Sequence, residues 1–139
     1  MKDLNFETGV VTYNINGKCE ISFNPTDSAF VEKLFNSFET LDKKQEQYKE
    51  DVQKNANKRE IFDLANKMDD EMRDIIDDTL GTGVCDALFG EMNVYALADG
   101  LPVWANLILS VMDEIDTTFA RETKATNARL AKYTKKYAK

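Results

Sequence analysis

The sequence predicts an α+β fold that is mostly α, with an N-terminal β-hairpin followed by a long helical hairpin and a long C-terminal helix. Two observations carry this prediction. An Asn-Gly turn signal joins two apolar runs near the N-terminus, and three later segments repeat apolar residues every three or four positions. The 139 residues suffice for one modest hydrophobic core, and 6 glycines and 2 prolines are too few for a loop-rich scaffold.

Residues 10–23 are predicted to form the β-hairpin around an Asn-Ile-Asn-Gly turn. A two-residue loop at Asn16 and Gly17 would divide the apolar residues between the two faces. A three-residue loop, with Asn14 opening a type I turn and Gly17 left-handed, would gather them on one face. We expect the second arrangement, which aligns Val11, Tyr13, Cys19, Ile21 and Phe23. A two-stranded hairpin is marginal alone, so this face should cover a helix or pair with a third strand, for which residues 4–8 are the candidate.

The first long helix is predicted to start after residues 24–27, Asn-Pro-Thr-Asp, because a side-chain oxygen there can cap a helix N-terminus. Apolar residues then recur at alternating spacings of three and four, which is typical of a narrow coiled-coil seam. The polar Gln45 and the thinning apolar content predict an exposed distal half. The seam comprises Val31, Leu34, Phe38, Leu41, Gln45, Tyr48 and Val52, with Phe30 and Phe35 widening its start.

The second long helix is predicted over residues 58–80, after a break at residues 55–57, since asparagine competes with the helical backbone for hydrogen bonds. The two helices should form a helical hairpin. Gly81 and Gly83 then stop the second helix. Its inward residues are Ile61, Leu64, Ala65, Met68, Met72, Ile75, Ile76 and Leu80.

A short turn of helix is predicted at residues 84–89, and another brief element at residues 94–98. Pro102 suits the first turn of a third long helix, which carries a broad apolar face. Trp104 is expected in the core. The face comprises Val103, Trp104, Leu107, Ile108, Val111, Met112, Ile115 and Phe119, and the apolar stripe fails beyond it.

The charge distribution divides the chain into a domain, residues 1–120, and a basic helical tail, residues 121–139, which should be exposed. The tail has seven basic residues and one acidic residue, a charge of +6, whereas the rest carries −13. An acidic body repels nucleic acid, so nucleic-acid binding is not expected of it, and only the basic tail could bind phosphate. A nucleic-acid accessory is therefore the third alternative, and the tail could equally meet an acidic protein. Tyr133 and Tyr137 lie four residues apart on one helical face, where a partner could contact them.

The absence of histidine excludes Ser-His-Asp and Cys-His nucleophile systems and histidine-containing zinc sites. The acidic run at residues 69–78 is the best metal-site candidate and has a superficial similarity to the helical carboxylates of nucleotide pyrophosphohydrolases. The apolar register places Met68 and Met72 inward, so these carboxylates should lie hydrated on the outer face. We therefore expect no enzyme, metal or cofactor, with a magnesium-dependent pyrophosphohydrolase-like enzyme as the alternative.

Two further motifs favour structural interpretations. No Gly-Lys-Ser/Thr follows Gly81 and Gly83, so a phosphate-binding loop is not expected. Cys19 and Cys85 form no Cys-x-x-Cys pair, which suits ordinary thiols in a reducing compartment.

The N-terminus has no secretory apolar stretch, and the run from residue 101 to 112 is too short to span a membrane. We expect a cytoplasmic protein.

Residues 75–90, followed by Asn93, resemble a stretch in small proteins encoded in the tail modules of Gram-positive siphophages and prophages. The shared feature is a helix ending in Leu-Gly-x-Gly, here residues 80–83, and then a short helix ending in Phe-Gly, here residues 89–90. The N-terminal hairpin, the Asn-Pro-Thr-Asp segment and the long helix fit the same group. The resemblance implies the role of a tail assembly chaperone, which keeps the tape-measure protein soluble while tail subunits polymerise around it.

On this basis we expect a non-catalytic tail assembly accessory in the cytoplasm of a bacterial host cell. Its partner would be a helical client, such as a tape-measure protein or a tail subunit. The expected protein-binding residues are Phe38, Leu41, Tyr48 and Val52 of the seam and Tyr133 and Tyr137 of the tail. Self-association through the seam, as in a self-assembling virion structural subunit, is a further alternative.

Overall fold

The computed structural model describes residues 1–55, 57–125 and 127–137, with side chains described as far as residue 135. The predicted α+β fold, mostly α, is confirmed. In chain order the elements are strands β1 (Val11–Ile15) and β2 (Cys19–Phe23), helices α1 (Ser28–Gln53), α2 (Lys58–Leu80) and α3 (Val84–Phe89), strands β3 (Leu97–Ala98) and β4 (Leu101–Pro102), and helices α4 (Val103–Lys124) and α5 (Arg129–Tyr137).

Strands β1 and β2 pair antiparallel in a register that places the predicted apolar residues on one face. That prediction is confirmed, but the turn differs from the expected one, because Asn14 lies inside β1. Asn16 (φ 52°) and Gly17 (φ 69°) are both left-handed, and the Lys18 N–H donates to the Ile15 carbonyl oxygen at 2.9 Å. These angles are typical of a type I′ turn, which an Asn-Gly pair adopts at low cost.

The apolar face of the hairpin covers helices and is not extended by a third strand. At its edge the Tyr13 hydroxyl donates to a carboxylate oxygen of Glu114 in α4 at 3.2 Å. Residues 4–8, which the structure describes, form no strand, so this candidate is wrong. The Asn24 amide donates to the Thr8 carbonyl oxygen at 2.8 Å, which holds Thr8 beside the residues after β2. The N-terminal segment therefore leads into β1 and adds no third strand to the hairpin.

Helices α1 and α2 pack side by side as the predicted helical hairpin. Asp27 caps α1 by accepting a hydrogen bond from the Ala29 N–H at 3.0 Å. Asn57 caps α2 by accepting one from the Arg59 N–H at 2.9 Å. These caps satisfy backbone donors that no helical carbonyl can reach. Ala56, within the predicted break, lies outside the described residues.

The segment between α2 and α4 follows its prediction closely. Helix α3 occupies the predicted residues, and α2 ends before Gly81, whose φ of 133° favours glycine. The brief element expected at residues 94–98 is smaller: β3 pairs with β4 across a left-handed turn at Asp99 and Gly100. Pro102 directly precedes α4 and is not part of its first turn.

The core lies where α1, α2 and α4 meet beneath the hairpin. Trp104 is buried there as predicted. Two predicted members of the apolar stripes are instead exposed: Phe35 near the start of α1 keeps 54% of its surface in solvent, and Phe119 near the end of α4 keeps 55%. The other fully buried side chains of greatest volume are Leu34, Leu41, Met72, Ile76, Ile108, Val94, Pro25 and Cys85.

The predicted boundary at residue 120 falls inside a helix, because α4 continues to Lys124. Every residue from 119 to 135 whose burial the structure describes is exposed. That residues 121–139 behave as a unit distinct from the domain stays a prediction.

Candidate functional site

The predicted seam of α1 lies inside the domain. Leu41 is fully buried, and Phe38 packs edge to face against Trp104, with ring centroids 5.5 Å apart. Tyr48 and Val52 are half-buried. Leu41 therefore leaves no surface that a partner could contact. Protein binding by these four residues stays a prediction, and it would require the seam to leave the core.

Gln45, which predicted an exposed distal half of α1, is only 8% exposed. Its side-chain oxygen accepts a hydrogen bond from the Trp104 indole N–H at 2.8 Å. A buried indole N–H needs an acceptor, and a glutamine on the facing helix supplies it. The polar residue of the seam is thus a core residue, and the prediction drawn from it is wrong.

Tyr48 of the distal seam forms a tilted aromatic pair with Tyr95. The rings of Tyr48 and Tyr95 lie 4.7 Å apart, and burial raises the pKa of Tyr95 above the ordinary tyrosine value. The Tyr95 hydroxyl oxygen is buried without a hydrogen bond of good geometry among the described residues, although the Tyr48 hydroxyl lies close to it and also raises the pKa of Tyr95. Such a hydroxyl is a cost to the folded state, since water satisfied it in the unfolded chain.

The tail residues form an amphipathic helix, α5. Tyr133 is 48% exposed, and Leu130, one turn before it, is also exposed. Asn127 caps the helix by accepting a hydrogen bond from the Arg129 N–H at 2.9 Å. The side chain of Tyr137, the other predicted binding residue of the tail, lies outside the described part of the structure.

The acidic run of α2 is not uniformly solvated. Asp69 is buried, so its predicted place on a hydrated outer face is wrong. One of its oxygens accepts a hydrogen bond from Arg73 Nε at 2.8 Å, and the other accepts one from the Val94 N–H at 2.8 Å. Arg73 also donates to the carbonyl oxygens of Gly90 and Met92, at 2.6 and 2.7 Å. The pair ties the segment after α3 to α2.

Asp77, two turns after Asp69, anchors the start of α3. Its carboxylate accepts hydrogen bonds from the Cys85 N–H at 2.9 Å and from the Gly83 N–H at 3.2 Å. A carboxylate is favourable there because the first amides of a helix have no helical acceptors. Asp69 and Asp77 are thus committed to the fold. Among the residues described, no group of three or more acidic or cysteine side chains could hold a metal ion.

Neither thiol is an activated nucleophile. Burial raises the pKa of Cys85, which is fully buried, and the neighbouring Asp77 raises it further. Burial also raises the pKa of the half-buried Cys19. Because a catalytic cysteine needs a lowered pKa, both environments suit structural residues.

We identify an apolar groove between the first two turns of α1 and the last turns of α4 as the candidate site. It encloses about 480 Å³. Val31 and the buried Ile115 lie at its bottom, and the exposed rings of Phe35 and Phe119 stand on its two walls. The complete lining is Pro25, Thr26, Ser28, Val31, Glu32, Phe35, Ile115, Asp116 and Phe119.

The groove can bind an apolar surface that carries positive charge. Glu32 and Asp116 are its charged lining residues, and both are exposed. Exposed aromatic residues on two helices that flank a trough are typical of sites that accept a partner helix. The lining has no histidine, cysteine or lysine that could act as a nucleophile.

The groove was not predicted from the sequence, because Phe35 and Phe119 belong to apolar stripes that were expected to be buried. Two signals were available. Phe35 directly follows the seam residue Leu34 and therefore points away from the seam, since adjacent helical residues lie about 100° apart. Phe119 is the last residue of its stripe, where the facing helix could already have ended.

No helix among the described residues is long and apolar enough to cross a membrane. Comparisons with protein-family models, with curated proteins and with solved structures find no significant match to this chain.

Proposed function

We propose that this protein is a non-catalytic accessory of phage or prophage tail assembly that binds a helical client, such as a tape-measure protein, in the cytoplasm of a bacterial host. The groove of α1 and α4 is the observation that carries this proposal. Phe35 and Phe119 leave aromatic surface in water, where a client helix could bury it at a gain of roughly 25 cal/mol per Å² of apolar area.

The resemblance of residues 75–90 to tail-module proteins supports the phage context. In this chain that segment has a structural role, since Asp77 and Arg73 hold the two loops that flank α3. A junction held by these hydrogen bonds and an uncovered apolar groove together suit a protein that presents a binding surface. The groove therefore replaces the seam as the client-binding surface of this proposal.

The chemistry of the client follows from the lining. Its docking helix should carry two or three apolar residues at spacings of three and four, because each groove wall is itself helical. Lysine or arginine beside that stripe would meet Glu32 and Asp116. Such rim charges affect the association rate and specificity more than the affinity.

The test is co-expression of the chain with the tape-measure protein of a Gram-positive siphophage. The wild-type chain should keep this client in the soluble fraction and co-purify with it. Phe35→Asp should abolish both effects, because a carboxylate would be buried at the interface. Phe62→Asp is the matched control, since Phe62 is 59% exposed on α2 and does not line the groove.

Two results would contradict the proposal. One is a client that is equally soluble with and without the chain. The other is equal loss of client with Phe35→Asp and with Phe62→Asp, which would place binding outside the groove. Circular dichroism of each variant confirms that it is folded before binding is compared.

A further inference from the structure

The chain carries its own candidate ligand for the groove. Helix α5 has an apolar stripe that includes Leu130 and Tyr133, and each of its residues whose burial the structure describes is exposed. Arg129 flanks this stripe, and the Lys132 ammonium lies 5.5 Å from the centroid of the Tyr133 ring. Lys135 lies on the far side of the helix. An amphipathic helix of this kind gains free energy when its apolar side is covered.

The groove and α5 match in length and in charge. The α1 wall runs from Ser28 to Phe35, which spans about 10 Å at 1.5 Å per residue, and the nine residues of α5 span about 14 Å. Glu32 and Asp116 line the groove, and Arg129 beside the apolar stripe of α5 supplies the opposite charge. The contrast extends beyond the contact, since residues 121–139 carry +6 and the rest of the chain carries −13.

Within one chain these two surfaces remain apart. Leu130, Phe35 and Phe119 all stay exposed, so the chain's own α5 does not cover its groove. Ala125, directly after α4, is extended (φ −70°, ψ 147°), which ends that helix. A second copy can cover both surfaces in one contact.

We infer that α5 of a second copy docks in the groove, so that the protein associates with itself through its basic C-terminal helix. Each contact joins two different surfaces, the helix of one copy and the groove of the other. Reciprocal exchange of α5 between two copies fills both grooves and closes a dimer. If the groove is also the client site, α5 of a second copy fills it until a client displaces the helix. This regulatory role rests on the proposed function.

The test is sedimentation velocity of the purified full-length chain at low and high salt. We expect a species of at least twice the monomer mass at about 0.05 M NaCl, and weaker association at about 1 M, where the screening length falls to about 3 Å. Phe35→Asp and Leu130→Asp should each weaken association at least about ten-fold. Phe62→Asp should associate like the wild type, because Phe62 lies outside both surfaces.

Mixing the two disabled variants gives the sharpest result. Phe35→Asp retains an intact α5, and Leu130→Asp retains an intact groove, so a mixture should form heterodimers that neither variant forms with itself. An interface elsewhere on the chain would not show this complementation. Leu130→Asp changes an exposed residue of α5 and keeps the test valid even if Phe35→Asp fails to fold.

A chain that is monomeric at every salt concentration overturns the inference, as does a Leu130→Asp variant that associates like the wild type. These outcomes are separable from failure of the proposed function. A monomer that binds its client through Phe35 would contradict only the self-association. A salt-sensitive dimer that never binds the client would contradict only the tail-assembly role.

Discussion

The junction of α2 and α3 and the groove of α1 and α4 treat their side chains in opposite ways. At the junction, charged residues are buried or half-buried, and each has partners: Asp69 binds Arg73 and a backbone amide, and Asp77 binds two amides. At the groove, aromatic residues stay in water. Phe35 and Phe119 belong to apolar stripes, yet no described element covers them.

The groups that a side chain meets in the fold, more than its own polarity, therefore decide whether it is buried. An aspartate can be buried where an arginine and a free amide meet it, because hydrogen bonds offset the loss of water. A phenylalanine remains exposed where no neighbouring helix packs against it. Substitutions at the junction should therefore change the free energy of unfolding, whereas substitutions at the groove should mainly change binding.

The largest effect should come from Arg73→Ala at the junction. It would leave the Asp69 carboxylate buried without its cation and release the carbonyl oxygens of Gly90 and Met92. Removing one partner of a buried ion pair typically lowers the free energy of unfolding by about 3–5 kcal/mol. Urea unfolding followed by circular dichroism measures this change.

Arg59→Ala is the matched control for Arg73→Ala. Arg59 forms an exposed ion pair with Asp63 on the same helix, at 3.5 Å. Exposed pairs of this kind contribute roughly 0.3–0.5 kcal/mol. Equal losses for the two arginine variants would mean that the junction contributes nothing special, and the comparison with the groove would fail.

Local patterns predicted the elements well, because their causes are local. Asn57 begins α2 as a cap, and Gly81 ends it. The seam spacing correctly indicated which side of α1 faces the core, although Leu41, expected to contact a partner, is fully buried there. These features depend on residues a few positions apart, which a single sequence displays.

The errors arose where the deciding partner lies far away in the chain. Asp69 is buried because of the Val94 amide, 25 residues later, and Gln45 because of Trp104, 59 residues later. Periodicity carries no information on such pairs. The candidate site was missed for the same reason, since the exposure of Phe119 depends on how far α1 extends beside α4.

An intermediate effect is expected for Gln45→Leu in the core. Leucine fills a similar volume but cannot accept the Trp104 N–H bond, which would leave a buried donor unsatisfied. The expected loss in the free energy of unfolding is about 1–3 kcal/mol. Trp104 is the only tryptophan, so its fluorescence reports the changed environment directly. Gln53→Leu, at the exposed end of α1, is the control and should change neither quantity appreciably.

The smallest effect, and one of opposite sign, is expected for Tyr95→Phe. The Tyr95 hydroxyl is the one buried side-chain polar group without a hydrogen bond of good geometry in the described structure, so removing it should leave stability unchanged or raise it by up to about 1 kcal/mol. Tyr13→Phe is the control. It removes the hydrogen bond to Glu114 and should lower the free energy of unfolding by roughly 0.5–1.5 kcal/mol.

The same pair of variants gives a pH test. Burial raises the pKa of Tyr95 in the folded state, so the hydroxyl ionises in the unfolded chain at a lower pH than in the folded one. The free energy of unfolding is therefore unaffected by this group below the unfolded tyrosine pKa of about 10 and falls as the pH rises above it. Tyr95→Phe should therefore lose less stability between about pH 9 and 11 than the wild type does. If Tyr95→Phe is instead destabilised as much as Tyr13→Phe at neutral pH, the hydroxyl has a partner, and the core satisfies all its polar groups as the junction does.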